Sequence, residues 1–299
     1  MYDELARNVR RSWLLVGGFV VVVLAIGWLF GAIFGGGPVG LIAAGSFAVL
    51  MSVISYRTGD KIVLAMSRAR EVSHDEQPRL HNIVEGLCIA GGIPKPRIYI
   101  VPDVAPNAFA TGRDPAHASI AVTSGLLEKM NRVELEGVIA HELSHVRNRD
   151  TLVMAIVATL VGVLVLLADW TLRGFFWGVG GRRRDSSGGS AGAVLVLVGL
   201  VAAIFMPIFA QVMQLAVSRR REYLADASGV QMTRYPPGLI SALEKLKEDQ
   251  TVVHTAVRAT GHLWIESPLQ QGPGFMGKLN RLFDTHPPLD ERIKILKEM

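Results

Sequence analysis

The strongest chemical signal in the chain is Val138-Ile139-Ala140-His141-Glu142-Leu143-Ser144-His145-Val146, two histidines four residues apart with a glutamate beside the first. Asn131 followed three residues later by Glu134 is a helix-start pattern. Val133, Leu135, Val138 and Ile139 then recur with helical spacing, so the run belongs on a helix. Residues four apart share a helix face, which turns the imidazoles of His141 and His145 toward one point, as two ligands of one tetrahedral metal require. Glu142 then reaches a water on that metal without taking a coordination position, the arrangement of a general base. By chance such a string arises in roughly one chain of this length in a hundred, so it needs a third ligand and a supporting context.

A candidate third ligand lies in Ser218-Arg219-Arg220-Arg221-Glu222-Tyr223-Leu224-Ala225-Asp226, where Glu222 and Asp226 share one face of an expected helix. The competing reading is a solvated helix start whose glutamate pairs with local arginines. His74, His81, His117, His254 and His262 have no such company and read as surface or hydrogen-bonded residues. The one cysteine, Cys88, excludes an intrachain disulfide and argues against a thiolate zinc site.

The elements that must position these residues fall in blocks. Half of the 299 residues are hydrophobic, and from Ser12 to Tyr56 no side chain is charged. A span needs about 20 apolar residues, so this run fits two membrane helices near 12–34 and 39–57, broken at Gly35-Gly36-Gly37-Pro38. Its length argues against a cleaved signal peptide. Residues 61–150 are charged and read as the first part of a soluble domain. Arg97–Val101 and Ser119–Thr123 read there as strands, and Asn107–Gly112 as a third strand at an edge or a surface loop. Two further apolar blocks, Thr151–Ala168 and Ala191–Val217, flank a Gly, Ser and Arg loop and make residues 151–217 a second membrane hairpin. Residues 218–299 are again charged and mostly helical in pattern. The fold class expected is therefore an α-helical multi-pass membrane protein carrying a soluble domain in two parts.

Net charge is +5, from 31 basic and 26 acidic residues. Much of the basic charge flanks apolar runs, as at Arg7, Arg10, Arg11, Arg57, Lys61, Arg68 and Arg70. Orientation in the lipid bilayer explains it better than a nucleic-acid surface does. Two spans before each soluble part put both parts on one side, and the flanking charges make that side the cytoplasm. Arg173 and Arg182 to Arg184 would then lie outside. Either the later helices follow the earlier ones regardless, or the second hairpin enters the bilayer without crossing it.

The pair His141 to His145 and Ser218 to Asp226, with two apolar helices before and a hairpin between, resembles the HtpX family of membrane proteases. That family belongs with the broader peptidase group that includes the CAAX prenyl protease Ste24 and the mitochondrial protease Oma1. The resemblance implies a zincin-like α+β catalytic domain, one zinc ion per chain, and proteolysis of membrane proteins in stress-related quality control at the plasma (inner) membrane. It makes Glu222 the third zinc ligand and Asp226 an acceptor that orients a ligating histidine. Thr285-His286-Pro287-Pro288-Leu289-Asp290-Glu291-Arg292 is similar to the family's C-terminal His-Pro run. There His286 would stabilise the oxyanion and Arg292 would buttress the acidic residues. The bland alternative is a proline-led helix cap with a solvated arginine. Asn107, Ala108 and Phe109 resemble the edge strand that binds an extended peptide by strand addition.

Two rival functions remain to be weighed. A metal transporter should carry ionisable residues inside its spans, and these apolar blocks hold almost none. A catalytically dead scaffold with a structural zinc would have no need of Glu142.

Overall fold

The uncharged sequence after Ser12 folds as long helices in the computed structural model, which describes residues 2–34, 38–160, 162, 219–249, 251, 253, 263–265 and 287–299. In chain order its elements are α1 (Tyr2–Phe34), α2 (Pro38–Met66), β1 (Arg70–Glu71), α3 (Pro78–Gly91), β2 (Arg97–Val101), β3 (Ala108–Thr111), β4 (Ser119–Thr123), α4 (Ser124–Lys129), α5 (Arg132–Arg147), α6 (Asp150–Leu160), α7 (Arg219–Thr233), α8 (Pro236–Glu248) and α9 (Leu289–Lys297).

Helices α1 and α2 are each long and apolar enough to cross a membrane. Both exceed the limits of 12–34 and 39–57 expected from charge alone. No glycine or proline interrupts Tyr2–Arg11, so α1 runs back through the charged start. At the other end, α2 continues past Arg57 because Val63 and Leu64 bury against Tyr99, Val101, Phe109 and Ala121 of the sheet. The two helices meet through small residues. A Cβ on Gly27 would fall 2.2 Å from the Ala44 Cβ and 2.7 Å from the Gly40 carbonyl oxygen, so only glycine permits this backbone approach. Leu15, Phe19 and Val23 of α1 and Ala48 of α2 share one apolar cluster with Leu152, Val153, Ile156 and Val157 of α6. Ser55 and Thr159 hydrogen bond between α2 and α6 at 2.6 Å. Most of the second predicted hairpin, including the arginine loop and Ala191–Val217, lies outside the described residues.

Residues 70–123 carry a four-stranded sheet in the order β1-β2-β4-β3, with β2 and β4 parallel and both outer pairs antiparallel. β2 and β4 occupy the two stretches that β-branched and apolar residues mark in the sequence. The doubtful third stretch is β3, paired from Ala108↔Val122 to Thr111↔Ser119. One face of the sheet packs on α3 and α5. Leu80, Ile98, Ile120, Leu135, Ile139 and Leu143 lie fully buried in a core that also takes in Leu239, Leu243 and Leu246 of α8 and Leu296 of α9. Each such side chain contributes about 1.5–3 kcal/mol of hydrophobic burial, and together they fix α5 beneath the sheet.

Candidate active site

Helix α5 begins with the capping box its sequence suggests. The Asn131 side chain accepts from the Glu134 amide at 3.0 Å, and the Glu134 carboxylate accepts from the Asn131 amide at 2.8 Å. Glu134 also takes hydrogen bonds from Ser241 and Lys245 of α8, both at 2.7 Å. Burial pushes its carboxyl up, but these partners outweigh burial and hold it below the usual carboxylate range. The far half of α5 carries His141, Glu142 and His145, all buried. Helix α7 lies across it so closely that a Cβ on Gly229 would stand 3.0 Å from the His141 amide nitrogen.

Each imidazole is aimed by a carboxylate. His141 Nδ1 lies 2.8 Å from Asp226 Oδ1, and His145 Nδ1 lies 3.1 Å from Asp150 Oδ2. If each Nδ1 donates its proton to its carboxylate, each Nε2 presents a lone pair. Those two Nε2 atoms face one another at 3.2 Å. The Glu222 carboxylate completes the group, 3.5 Å from His141 Nε2 and 3.6 Å from His145 Nε2. Three acceptors within 4.8 Å of one another repel unless a cation lies between them, and two nitrogens with one oxygen suit a borderline divalent metal. The surroundings favour positive charge here. Burial and Arg292 depress the His141 imidazole, but its bonds to Asp226 and Glu222 outweigh them and raise it to about 9.

Glu222 and Asp226 both project from α7 into this site, and Glu222 is only 1% exposed, so the solvated reading of this run does not hold. Arg292, at 0% exposure, is likewise no surface arginine. Its guanidinium forks onto Asp226, with Nε to Oδ2 at 2.8 Å and Nη2 to Oδ1 at 2.6 Å, and donates to the Ile265 carbonyl at 3.3 Å. Burial pushes the Asp226 carboxyl up, yet Arg292 and His141 bring it down to about 2. Asp226 is thus an anion that accepts from His141 and is neutralised from behind by Arg292. Burial has the opposite result at Glu142, whose carboxyl it raises above the ordinary range against the pull of His141 and His145. A carboxylate poised upward is the better proton acceptor near neutral pH.

The sequence reading missed Asp150 and its partners Asn8 and Arg221. Asp150 accepts from His145, from Asn8 of α1 at 2.7 Å and from Arg221 at 3.5 Å. On an unbroken helix a residue five places on would point away from His145. Here Arg149 adopts a left-handed conformation with φ 56° and swings Asp150 back. The available signal was the Arg-Asn-Arg-Asp punctuation between α5 and the next apolar run. His286 lies outside the described residues. Pro288 precedes α9, whose face presents Arg292.

Asn107, just before the edge strand β3, and Ala108 and Phe109 on it are all buried. Phe109 packs edge-on against Trp264, ring centroids 4.7 Å apart. The Asn107 carbonyl bonds inward to β4, so by alternation Ala108 and Ala110 present their backbone groups outward. At Ala108 that outward carbonyl accepts from the Ile265 amide at 3.0 Å.

Comparison with known proteins gives one consistent neighbourhood. The family described as Peptidase family M48 matches residues 74–299. A Caldanaerobacter subterraneus protein named Protease HtpX homolog is 46% identical over 299 residues, covering 100% of this chain and 98% of its own. Relatives of the same name from Lactobacillus acidophilus and Tropheryma whipplei are 41% and 43% identical, covering all of this chain and 100% and 98% of theirs. Among solved structures, S. mikatae Ste24p superposes with a TM-score of 0.50 at 18% identity, covering 99% of this chain and 67% of that one.

Proposed function

The chain belongs to peptidase family M48 and is a membrane-associated metalloprotease, and on that premise we propose that it is a zinc endopeptidase whose metal is held by His141, His145 and Glu222. The observation that carries this reading is the convergence of those three donors, with each imidazole turned inward by a carboxylate behind it. A metal bound there supplies Lewis acidity, bringing a water to a pKa of about 7 and polarising the scissile carbonyl.

The remaining steps belong to the chain's own side chains. Glu142 takes the proton of the attacking water and later returns it to the leaving amine. His286 offsets charge on the carbonyl oxygen, a role that rests on the family resemblance. Asp226 and Asp150 hold the two imidazoles in the tautomer that leaves Nε2 for the metal. Arg292 keeps Asp226 ionised. The outward backbone of β3 at Ala108 and Ala110 receives the peptide as an added strand, and at Ala108 this requires the Ile265 amide to give way.

Two apolar helices support a site held at the bilayer surface. We place it on the cytoplasmic side, with 61–150 and 218–299 as two parts of one catalytic domain and loops of misfolded membrane proteins as substrates. Detergent-purified full-length protein tests the reading directly. About one zinc per chain by plasma mass spectrometry, with casein cleavage lost on chelation and restored by zinc, is the expected result. Cleavage that survives full removal of metal would overturn it.

A further inference from the structure

At the end of α2 where charge first reappears lies a cavity of about 300 Å³ walled by Arg57, Asp60, Lys61, Arg97, Arg113 and His117. Four of these are permanent cations and one is an anion. Asp60 is already answered by Arg97 at 3.3 Å. Asp114, just behind, is bonded by His117 at 2.7 Å and lies 3.5 Å from Arg113. Neither Arg57 nor Lys61 has an ion-pair partner among the described residues. The concavity therefore keeps an excess of positive charge that none of the described residues neutralises, in a volume at the lower end for small-molecule sites.

The position of this cavity indicates what fills it. Arg57 is the first charged side chain after the uncharged run from Ser12 to Tyr56, and Lys61 follows one helical turn later on the same face. Immediately before Arg57, Tyr56 stacks with Trp13 of α1 at 6.3 Å, and both rings are exposed. Exposed Trp and Tyr at the end of an apolar helix mark the depth of the lipid headgroups. Arg97 and Arg113 come from the other side, on β2 and the loop after β3, so the cavity joins a membrane helix to the soluble sheet at headgroup depth.

We propose that this cavity binds the phosphate of an anionic phospholipid headgroup. Arg57 and Lys61 meet it from the membrane helix, and Arg113 closes on it from the soluble domain. The charge-assisted contacts are of the kind basic pockets make with lipid phosphates. The bound lipid would fix the tilt of the catalytic sheet against the bilayer, a role separate from the metal site and resting only on α2 as a membrane span.

The test uses full-length protein in a neutral detergent, titrated with phosphatidylglycerol, phosphatidylcholine, inorganic phosphate or an acidic decapeptide. Retained lipid is read by native mass spectrometry and thermal stability by melting. Phosphatidylglycerol should stay bound and raise the melting temperature, and phosphatidylcholine should do neither. Lys61→Gln and Arg113→Gln should each weaken retention roughly fivefold, the worth of one basic residue at an anionic surface. Lys61→Arg should retain it. Arg113 lies off the membrane helices, so its variant tests the site without disturbing insertion. Both glutamine variants should still bind zinc and cleave casein, which separates failure here from failure of the active-site reading. The proposal falls if Arg113→Gln retains phosphatidylglycerol as the unmodified chain does. It falls equally if inorganic phosphate alone, or the acidic peptide, stabilises as much as the lipid.

Discussion

Asn8, near the start of the first apolar helix, donates to Asp150 Oδ1 at 2.7 Å, while the other oxygen of that carboxylate accepts from His145 at 3.1 Å. The same Asn8 amide also donates to the Asn148 carbonyl at 2.9 Å. One buried carboxylate thus ties the first apolar helix to one imidazole of the candidate metal site. Asp150→Asn should lower zinc affinity about 10–100-fold, the usual scale for losing a partner behind a ligating histidine. Asn8→Ala removes a hydrogen bond to a buried charge and should cost about 1.5–3 kcal/mol of stability. Competition with a calibrated chelator, beside thermal melting, checks both. Unchanged affinity in Asp150→Asn would remove Asp150 from the site.

Glu142→Gln should abolish casein cleavage and keep zinc, because glutamine preserves shape but cannot accept the water's proton. His141→Ala, His145→Ala and Glu222→Ala should each lose metal. Plasma mass spectrometry beside the proteolysis assay separates the two classes. If Glu142→Gln loses zinc as fully as His141→Ala does, Glu142 is a ligand and the mechanism is misassigned.

Arg292→Met leaves the Asp226 carboxylate buried without its counter-charge. Breaking a buried pair from one side costs about 3–5 kcal/mol, so a large fall in melting temperature is expected. Arg292→Lys keeps the charge but not the fork and should recover part of it. Equal melting of the Met and Lys variants would show that charge at 292 plays no part.

The carboxyl of Glu134 is held below its ordinary value, so the stability it contributes is present above that value. It fades as pH falls through the lower folded one. Glu134→Gln keeps the capping geometry and removes the charge. The gap between the two proteins in urea unfolding should be widest at pH 7, on the order of 1 kcal/mol, and should close on acidification below about pH 4. A gap constant from pH 7 to pH 3 would mean that charge is not what Glu134 contributes.

Burial pushes the Cys88 thiol up to about 11. It should resist iodoacetamide at pH 8 in the folded protein and react once urea unfolds the chain, because the thiolate is the reactive form. Rapid native labelling followed by mass spectrometry would refute this.

Much of the site was legible because helix geometry is local. The spacing of His141 and His145, the pairing of Glu222 with Asp226, and the Asn131 to Glu134 cap are each set within one or two turns. The same holds for β2 and β4, whose composition marks them without reference to their neighbours. What stayed hidden depended on distant or irregular backbone. The part of Asp150 required a left-handed Arg149, which no propensity favours for arginine. The role of Asn8 required knowing that α1 continues back past the charged residues and docks beside Asn148. The pairing of Ile265 with the edge of β3 joins segments far apart in sequence. The cavity at Arg57 and Arg113 likewise needs the sheet to fold back against the end of α2.

Gly229 sets a gauge. With hydrogen in place of a side chain, α7 rests on main-chain atoms of His141 and Ala140, and a Cβ would come within 3.0 to 3.3 Å of them. The gap between the two donor-bearing helices is therefore calibrated by backbone, the one part of a protein that substitution leaves in place. A side chain at position 229 would press on that contact and push the two helices apart by a few tenths of an ångström.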